Sequence, residues 1–180
     1  LSTHLPKIPG CFGCDHGKTV KSHSRRRTGP FFAVSGEDAI AKPFGAMVHI
    51  DWLEMSTGTL AHSIAPRALI MGDECTGFIG VYPSRTKTKS AVILALHEFG
   101  HDIPQIRRIW SDRAPEFLAA TRDIRQLRPL AHYASCPYRH AAKAERTVRT
   151  VEEGCRAALV QSGFSEAWWS LCITQWTTQY

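Results

Sequence analysis

Three carboxylates fall where a protein can use them for chemistry. Asp51 follows the apolar run 46–50, and Asp112 follows a second apolar run, 106–110, and Ser111. Glu145 lies early in the stretch 141–162, one residue off a stripe of apolar positions at helical spacing. A side chain at the end of a sheet strand is held rigidly yet stays open to a ligand. Three carboxylates converging from two strands and a helix repel one another and resist leaving water unless something positive joins them. Hard divalent cations, which take oxygen ligands and keep some of their own water, do this. A pair of such ions can activate a water or hydroxyl and stabilise the leaving oxygen of a phosphodiester. Read singly, an aspartate at a strand end is more often a turn or capping residue, and both readings stay open at this point.

The flanking charge suits that chemistry. The chain carries 22 Lys+Arg against 16 Asp+Glu, a formal charge of +6, which favours a polyanionic partner. Between residues 104 and 150 there are ten Arg or Lys and four acids, so basic charge surrounds a few isolated carboxylates. With 43% hydrophobic and 21% charged residues in 180, the composition is that of a folded globular chain with a core, not a disordered one. Apolar runs such as 91–96 are far too short to span a bilayer, so no membrane partner is expected. Six cysteines without a preceding secretory signal argue against a disulfide framework. The chain does not begin with Met and reads as a segment of a longer polypeptide.

The elements that must position the carboxylates follow from periodicity and punctuation. Residues 1–43 are rich in Gly, Pro, Ser, Lys and His, contain the basic run 24–27, and read as a small metal-site remnant followed by a polar linker. Strands are expected at 46–50, 68–71 and 78–82, with a hairpin turn over 72–77. A helix over 87–99 follows, with Gly100 as its cap, then a strand at 106–110. Pro115 suits the first turn of a helix over 115–127, and 129–134 makes a fifth short strand. Ala144, Val148, Val151, Cys155 and Leu159 form one stripe of a long helix over 141–162 that ends at Gly163. A last helix over 164–176 brings Trp168, Trp169 and Trp176 onto the core or an interface. Antiparallel strands followed by strand–helix units predict an α/β fold, a mixed sheet of about five strands flanked by helices.

In order along the chain, these segments resemble the integrases of copia-type retrotransposons. Cys11-Phe12-Gly13-Cys14-Asp15-His16-Gly17-Lys18 resembles the end of that family's pre-integrase zinc module, and Val48-His49-Ile50-Asp51-Trp52 its first catalytic strand. Gly72-Asp73-Glu74-Cys75-Thr76-Gly77-Phe78 resembles the "D-D-x-S-R-F" hairpin, and Lys87-Thr88-Lys89-Ser90 the start of the next helix. Trp110-Ser111-Asp112-Arg113-Ala114-Pro115-Glu116-Phe117 resembles "S-D-N-G-x-E-F". Cys136-Pro137-Tyr138 with Ala144-Glu145-Arg146-Thr147-Val148-Arg149-Thr150 resembles "S-P-Y … A-E-R-x-N-R-T", and Ala167-Trp168-Trp169 the aromatic pair beyond it. The resemblance implies a ribonuclease-H-like core over 44–180, truncated at its C-terminus. It implies a D,D,E site of Asp51, Asp112 and Glu145 holding Mg2+, with Mn2+ able to replace it. The reaction would be trimming of element DNA ends, then attack of the new 3′ hydroxyl on target DNA. It further implies a homo-oligomer acting on paired DNA ends in the nucleus.

Two departures from the family pattern bear on the site. Asp112 and Glu145 are separated by 32 residues, slightly fewer than usual, because Arg139-His140-Ala141-Ala142-Lys143 replaces a longer loop. Arg113-Ala114 stands where Asn-Gly is usual. A misplacement of Glu145 by about 1 Å would cost roughly a hundredfold in rate. The alternative reading is therefore a catalytically decayed domain of this type that only binds nucleic acid. A third, a nuclease for RNA in hybrids, is disfavoured by the zinc-module residues.

Other residues also carry groups that could do chemistry. Cys11 and Cys14 have zinc spacing but would supply half a site, their partners lying upstream or being replaced by His16 or His23, with His4 too close to serve. Lys143, Arg146 and Arg149 are candidates for DNA phosphate contact, or else a solvated helix face. Glu152 could take the place of Glu145, two turns on. His49 is read as a sheet residue, and Cys75, Cys136, Cys155 and Cys172 as free thiols in packed positions.

Overall fold

The computed structural model describes residues 10–17, 43–55, 65–100, 105–135 and 142–179. Five strands form one sheet: β1 (Val48–Glu54), β2 (Arg67–Asp73), β3 (Ile79–Ser84), β4 (Arg108–Ser111) and β5 (Ala131–Ala134), in the order β3-β2-β1-β4-β5. The first three are antiparallel neighbours, and β4 and β5 join parallel to β1 and to each other. The mixed five-stranded α/β sheet expected from sequence is thus the observed one. The helices are α1 (Phe12–Gly17), α2 (Lys89–Gly100), α3 (Pro115–Leu127), α4 (Ala142–Ser162) and α5 (Trp169–Gln179), the last preceded by a 3-10 turn, Glu166–Trp168.

Alternation along the strands makes two cores. Val48, Ile50 and Trp52 face one way with Leu69 and Met71, and are covered by Leu96 and Phe99 of α2 and Phe117, Ala120 and Ile124 of α3. Leu53, Ala68, Ile70 and Val81 face the other way against Val151, Cys155 and Leu159 of α4 and Trp169, Ile173 and Trp176 of α5. The expected apolar stripe of α4 is its buried face. Helix α4 ends at Gly163, whose φ of +73° only glycine adopts at little cost. The tryptophans divide: Trp169 and Trp176 are core, while Trp168 is 53% exposed. A Cβ on Gly154 would meet the Trp176 ring at 2.2 Å, so a glycine is needed where α4 and α5 cross.

Several boundaries differ from the sequence expectation, the last helix among them, which starts at Trp169 and runs to Gln179. Strand β1 does not end at Asp51 but runs on to Glu54, because Trp52 and Leu53 continue the alternation and pair with Leu69 and Ala68. Asp51 therefore sits within the strand, opposite Ile70. Gly100 is the last helical residue of α2 and does not lie beyond it. The Cys11–Cys14 segment carries α1, which lies on α4: a Cβ on Gly13 would come within 2.7 Å of the Ala157 carbonyl oxygen. His4, His23, the basic run 24–27, most of the linker and the loop 136–141 lie outside the described residues. No helix among those described is long and apolar enough to cross a membrane.

Candidate active site

Asp51 and Asp112 are brought together by strand register. Parallel pairing of β1 with β4 sets Val48 beside Ile109 and His49 beside Trp110. The same offset carries Asp51 to Asp112, one residue past the end of β4. Both positions share the face of His49 and Trp110, whose rings lie 6.5 Å apart, and this is the face that α4 covers. Because β4 stops at Ser111, the flank of β1 beside Asp51 is left open, and Asp51 is only partly buried.

The electrostatics of Asp51 are set first by burial. Burial pushes its carboxyl up to about 6 from an ordinary 3.8, against the Trp52 amide, which donates to Asp51 Oδ1 at 2.8 Å. The charges of Asp112 and Glu145 push in the same direction, and Lys87 pulls the other way. Lys87 is itself bound to Glu54 at 3.0 Å. Asp112 also does what an isolated aspartate after a strand would do. Its Oδ1 accepts the Ala114 amide at 3.0 Å, turning the chain into α3. The turn reading is thus the observed one for this residue.

Glu145 projects from the exposed first turn of α4. The setting of that turn is fixed from the hairpin side. Glu74 accepts from the ammonium of Lys143, and His49 Nε2 lies 2.8 Å from the other Glu74 oxygen. These partners hold the Glu74 carboxyl below the usual carboxylate range. One turn on, Thr147 sits against Gly72, where an added Cβ would lie 3.2 Å from its side chain. These residues, with Asp73, Arg146 and Thr150, line a cavity of about 430 Å³. His49 is thus more than a sheet residue: it buttresses the link between β1, the hairpin and α4. Glu152 pairs with Arg156 at 2.6 Å along its own helix.

Chemically, the three carboxylates offer oxygen donors only, and Asp51 senses the other two. That donor set suits a hard divalent cation in kind and in charge. Among the described residues, no three His, Cys, Asp or Glu side chains are drawn together closely enough to share one ion. Lys143, Arg146 and Arg149 are all exposed on α4, Lys143 reaching to Glu74. Cys14 is fully buried, and the Cys11 thiol lies 3.5 Å from Gln161 Oε1 of α4.

The sequence reading missed His132. Its Nε2 lies 2.8 Å from Ser111 Oγ and its Nδ1 3.0 Å from Thr121 Oγ1. Burial and the nearby Arg125 lower its proton affinity, which favours the neutral ring. Each hydroxyl also has a backbone acceptor, the Phe117 carbonyl for Thr121 (2.8 Å) and the Asp112 carbonyl for Ser111 (2.6 Å), so the neutral ring, with one N–H, donates to one of the two hydroxyls. Ser111 is completely buried and directly precedes Asp112, so this chain from α3 through β5 braces the backbone that presents Asp112. The only signal in the sequence was a histidine inside a short strand, and nothing there shows that it meets a serine 21 residues earlier.

No protein-family model matches the sequence. A search of the curated proteins found none that matches. Among solved structures, the chain is similar to the catalytic core domain of BIV integrase, with a TM-score of 0.55 at 14% identity, covering 75% of this chain and 82% of that one. It is similar to the HTLV-2 integrase catalytic core domain, solved in complex with magnesium in a trimeric form, with a TM-score of 0.54 at 15% identity, covering 75% and 83%. It is also similar to a chain of the simian T-cell lymphotropic virus intasome in complex with PP2A regulatory subunit B56 gamma, with a TM-score of 0.55 at 15% identity, covering 74% of this chain. This chain spans about half (48%) of that last relative's length. The fold is that of a retroviral integrase catalytic core, ribonuclease-H-like as expected from sequence.

Proposed function

We propose that the protein is the catalytic core of a retroelement integrase of copia type, a metal-dependent DNA endonuclease and nucleotidyltransferase. The observation that carries this reading is the parallel register that aligns Asp51 with Asp112 on the face beneath α4, together with a carboxyl at Asp51 pushed up to about 6. The integrase-core fold supports it. Asp51, Asp112 and Glu145 would hold Mg2+ or Mn2+. When bound, such ions activate the attacking water or hydroxyl and offset charge on the leaving oxygen.

The protein's own residues do the positioning. Asp51 is held by the sheet, Asp112 by the turn into α3 and the His132–Ser111 brace, and Glu145 by the Lys143–Glu74–His49 link. Arg146 and Arg149, with Lys143 once released from Glu74, steer and hold DNA phosphates. In end trimming, a water oxygen bonds to phosphorus and the 3′ oxygen leaves. In joining, that 3′ hydroxyl attacks a target phosphodiester and displaces its 3′ oxygen. The assembly is a homo-oligomer on element ends and target DNA, and its place of action is the nucleus. Residues 1–43 are the end of a zinc module and a linker, with Cys11 and Cys14 half of a Zn2+ site completed from outside this chain.

A second reading has one observation in its favour. The described carboxylates are not drawn to a single point, as they would not be in a decayed domain of the same fold that binds DNA without cutting it. Incubation of the intact element polypeptide with duplex DNA separates the two. Nicking or strand joining that needs Mg2+ or Mn2+, and falls at least a hundredfold in Asp112→Asn while DNA binding persists, supports the enzyme. Metal-independent DNA binding with no cut product supports the binding domain.

A further inference from the structure

A second cavity, of about 850 Å³, lies at the other end of β4 from Asp112 and is lined by Arg107, Arg125, Arg128, Pro129, Leu130 and Ala131. Arg107 and Asp112 lie five positions apart along extended chain, roughly 16 Å, so an occupant here would not sit in the carboxylate site. Among the described residues, three guanidinium groups line this cavity and no carboxylate does. Among the described residues, none of the three arginines is in an ion pair. Arg128 is the most enclosed. One nitrogen, Nη1, donates to the Ile106 carbonyl at 3.1 Å, while its buried Nε has no partner. Burial shifts its proton affinity down.

The cavity also borders an open sheet edge. β5 is the last strand of the sheet. The amides of Ala131 and Ser135 donate inward, to the carbonyls of Arg107 (3.0 Å) and Ser111 (2.9 Å) on the β4 side. By the alternation of a parallel ladder, the backbone groups of His132 and Ala134 face the outer edge. Among the described residues, a ligand here meets three features at once: backbone groups without a backbone partner, an apolar floor of Pro129 and Leu130, and three arginines in no ion pair. A phosphodiester strand can accept from the edge amides and the guanidinium groups, but it has no donor for the edge carbonyls and no alternating apolar side chains for the floor. An extended peptide with alternating acidic and apolar side chains offers something to all three.

We propose that this cavity and the edge of β5 dock an extended acidic segment of a partner protein. The segment adds a strand to β5, its carboxylates pair with Arg107, Arg125 and Arg128, and its apolar side chains cover Leu130. The probe is a fluorescein-labelled ten-residue peptide alternating Glu and Val, read by anisotropy, beside a peptide with Lys for Glu and a DNA duplex. The double variant Arg107→Ala/Arg125→Ala changes two exposed side chains and leaves the Arg128 link to Ile106 intact. The wild type binds the glutamate peptide and not the lysine peptide. The double variant weakens that binding at least tenfold and changes DNA affinity less than twofold. Amide exchange at His132 and Ala134 slows when the peptide is bound. The proposal is overturned if the glutamate peptide fails to bind the folded wild type, if the double variant binds it equally well, if exchange at those amides is unchanged, or if DNA affinity falls along with peptide affinity, which would make nucleic acid the occupant.

Discussion

Two sets of acidic side chains on neighbouring strands of this sheet are treated in opposite ways. At the β2–β3 corner, the buried Asp73 accepts from the Gly45 amide at 2.9 Å and from the Thr76 amide and hydroxyl, each at 2.7 Å. Beside it, Glu74 is matched by Lys143 and His49, and its proton affinity drops. On the other flank of β1, Asp51 has one backbone donor, loses solvent, faces the charges of Asp112 and Glu145, and its proton affinity rises. A carboxylate satisfied by its own protein holds a fold together. One left short of donors among its like costs stability, and a site that awaits a cation is where such a cost has a use.

The contrast can be broken from either side, and the largest effect lies at the satisfied corner. Asp73→Ala strands three donors around a buried position and costs about 3 kcal/mol, read from urea unfolding midpoints. Asp51→Asn has the opposite sign. Its carboxyl takes up a proton near 6 when folded and near 3.8 when unfolded, so the folded state binds more protons between those values and stability falls as pH rises through them. The full cost is present above pH 6, at most about 3 kcal/mol and less after solvent screening of a partly exposed group. Metal-free Asp51→Asn is therefore more stable than wild type by about 1–3 kcal/mol at pH 8, with the gain gone below pH 4. Equal melting temperatures at pH 8 would contradict it.

Smaller effects sharpen the account of how the site is held. His132→Ala leaves Ser111 and Thr121 without their shared partner. It lowers stability by about 1–2 kcal/mol and slows DNA nicking roughly tenfold, with DNA affinity unchanged, as binding and single-turnover assays on one preparation would show. Glu74→Gln weakens the Lys143–Glu74 pair, whose two partners are substantially exposed, and keeps an oxygen acceptor beside the buried His49, so its cost in stability is under about 1 kcal/mol. Its effect on nicking is a few-fold, through the setting of α4.

Much of this arrangement was legible in the residue string, for physical reasons. Pro115 and the spacing to Leu127 marked α3 at its observed bounds, and the stripe from Ala144 to Leu159 marked the buried face of α4. Asp51 and Asp112 were singled out because each follows a short apolar run, although β1 continues three residues past Asp51. Local pattern does not carry partners distant in sequence. The links from His49 to Glu74, from Glu74 to Lys143 and from Ser111 to His132 join residues 21 to 69 positions apart. For the same reason, the packing of α1 on α4 was invisible while residues 11–17 were read as part of a metal module. How nearly Glu145 approaches the two aspartates depends on side-chain reach and on the loop before α4, which no periodicity encodes.

The most direct test of the central claim is proton release on binding Mg2+, measured by titration calorimetry at pH 6 and pH 8 in buffers of different ionisation enthalpy. If Asp51 is a ligand whose carboxyl is half protonated near pH 6, binding releases about half a proton there and almost none at pH 8, and Asp51→Asn abolishes the release. Absence of Mg2+ binding to the folded protein, or binding whose proton count is the same at both pH values and in Asp51→Asn, would contradict the claim that these carboxylates form a divalent-ion site.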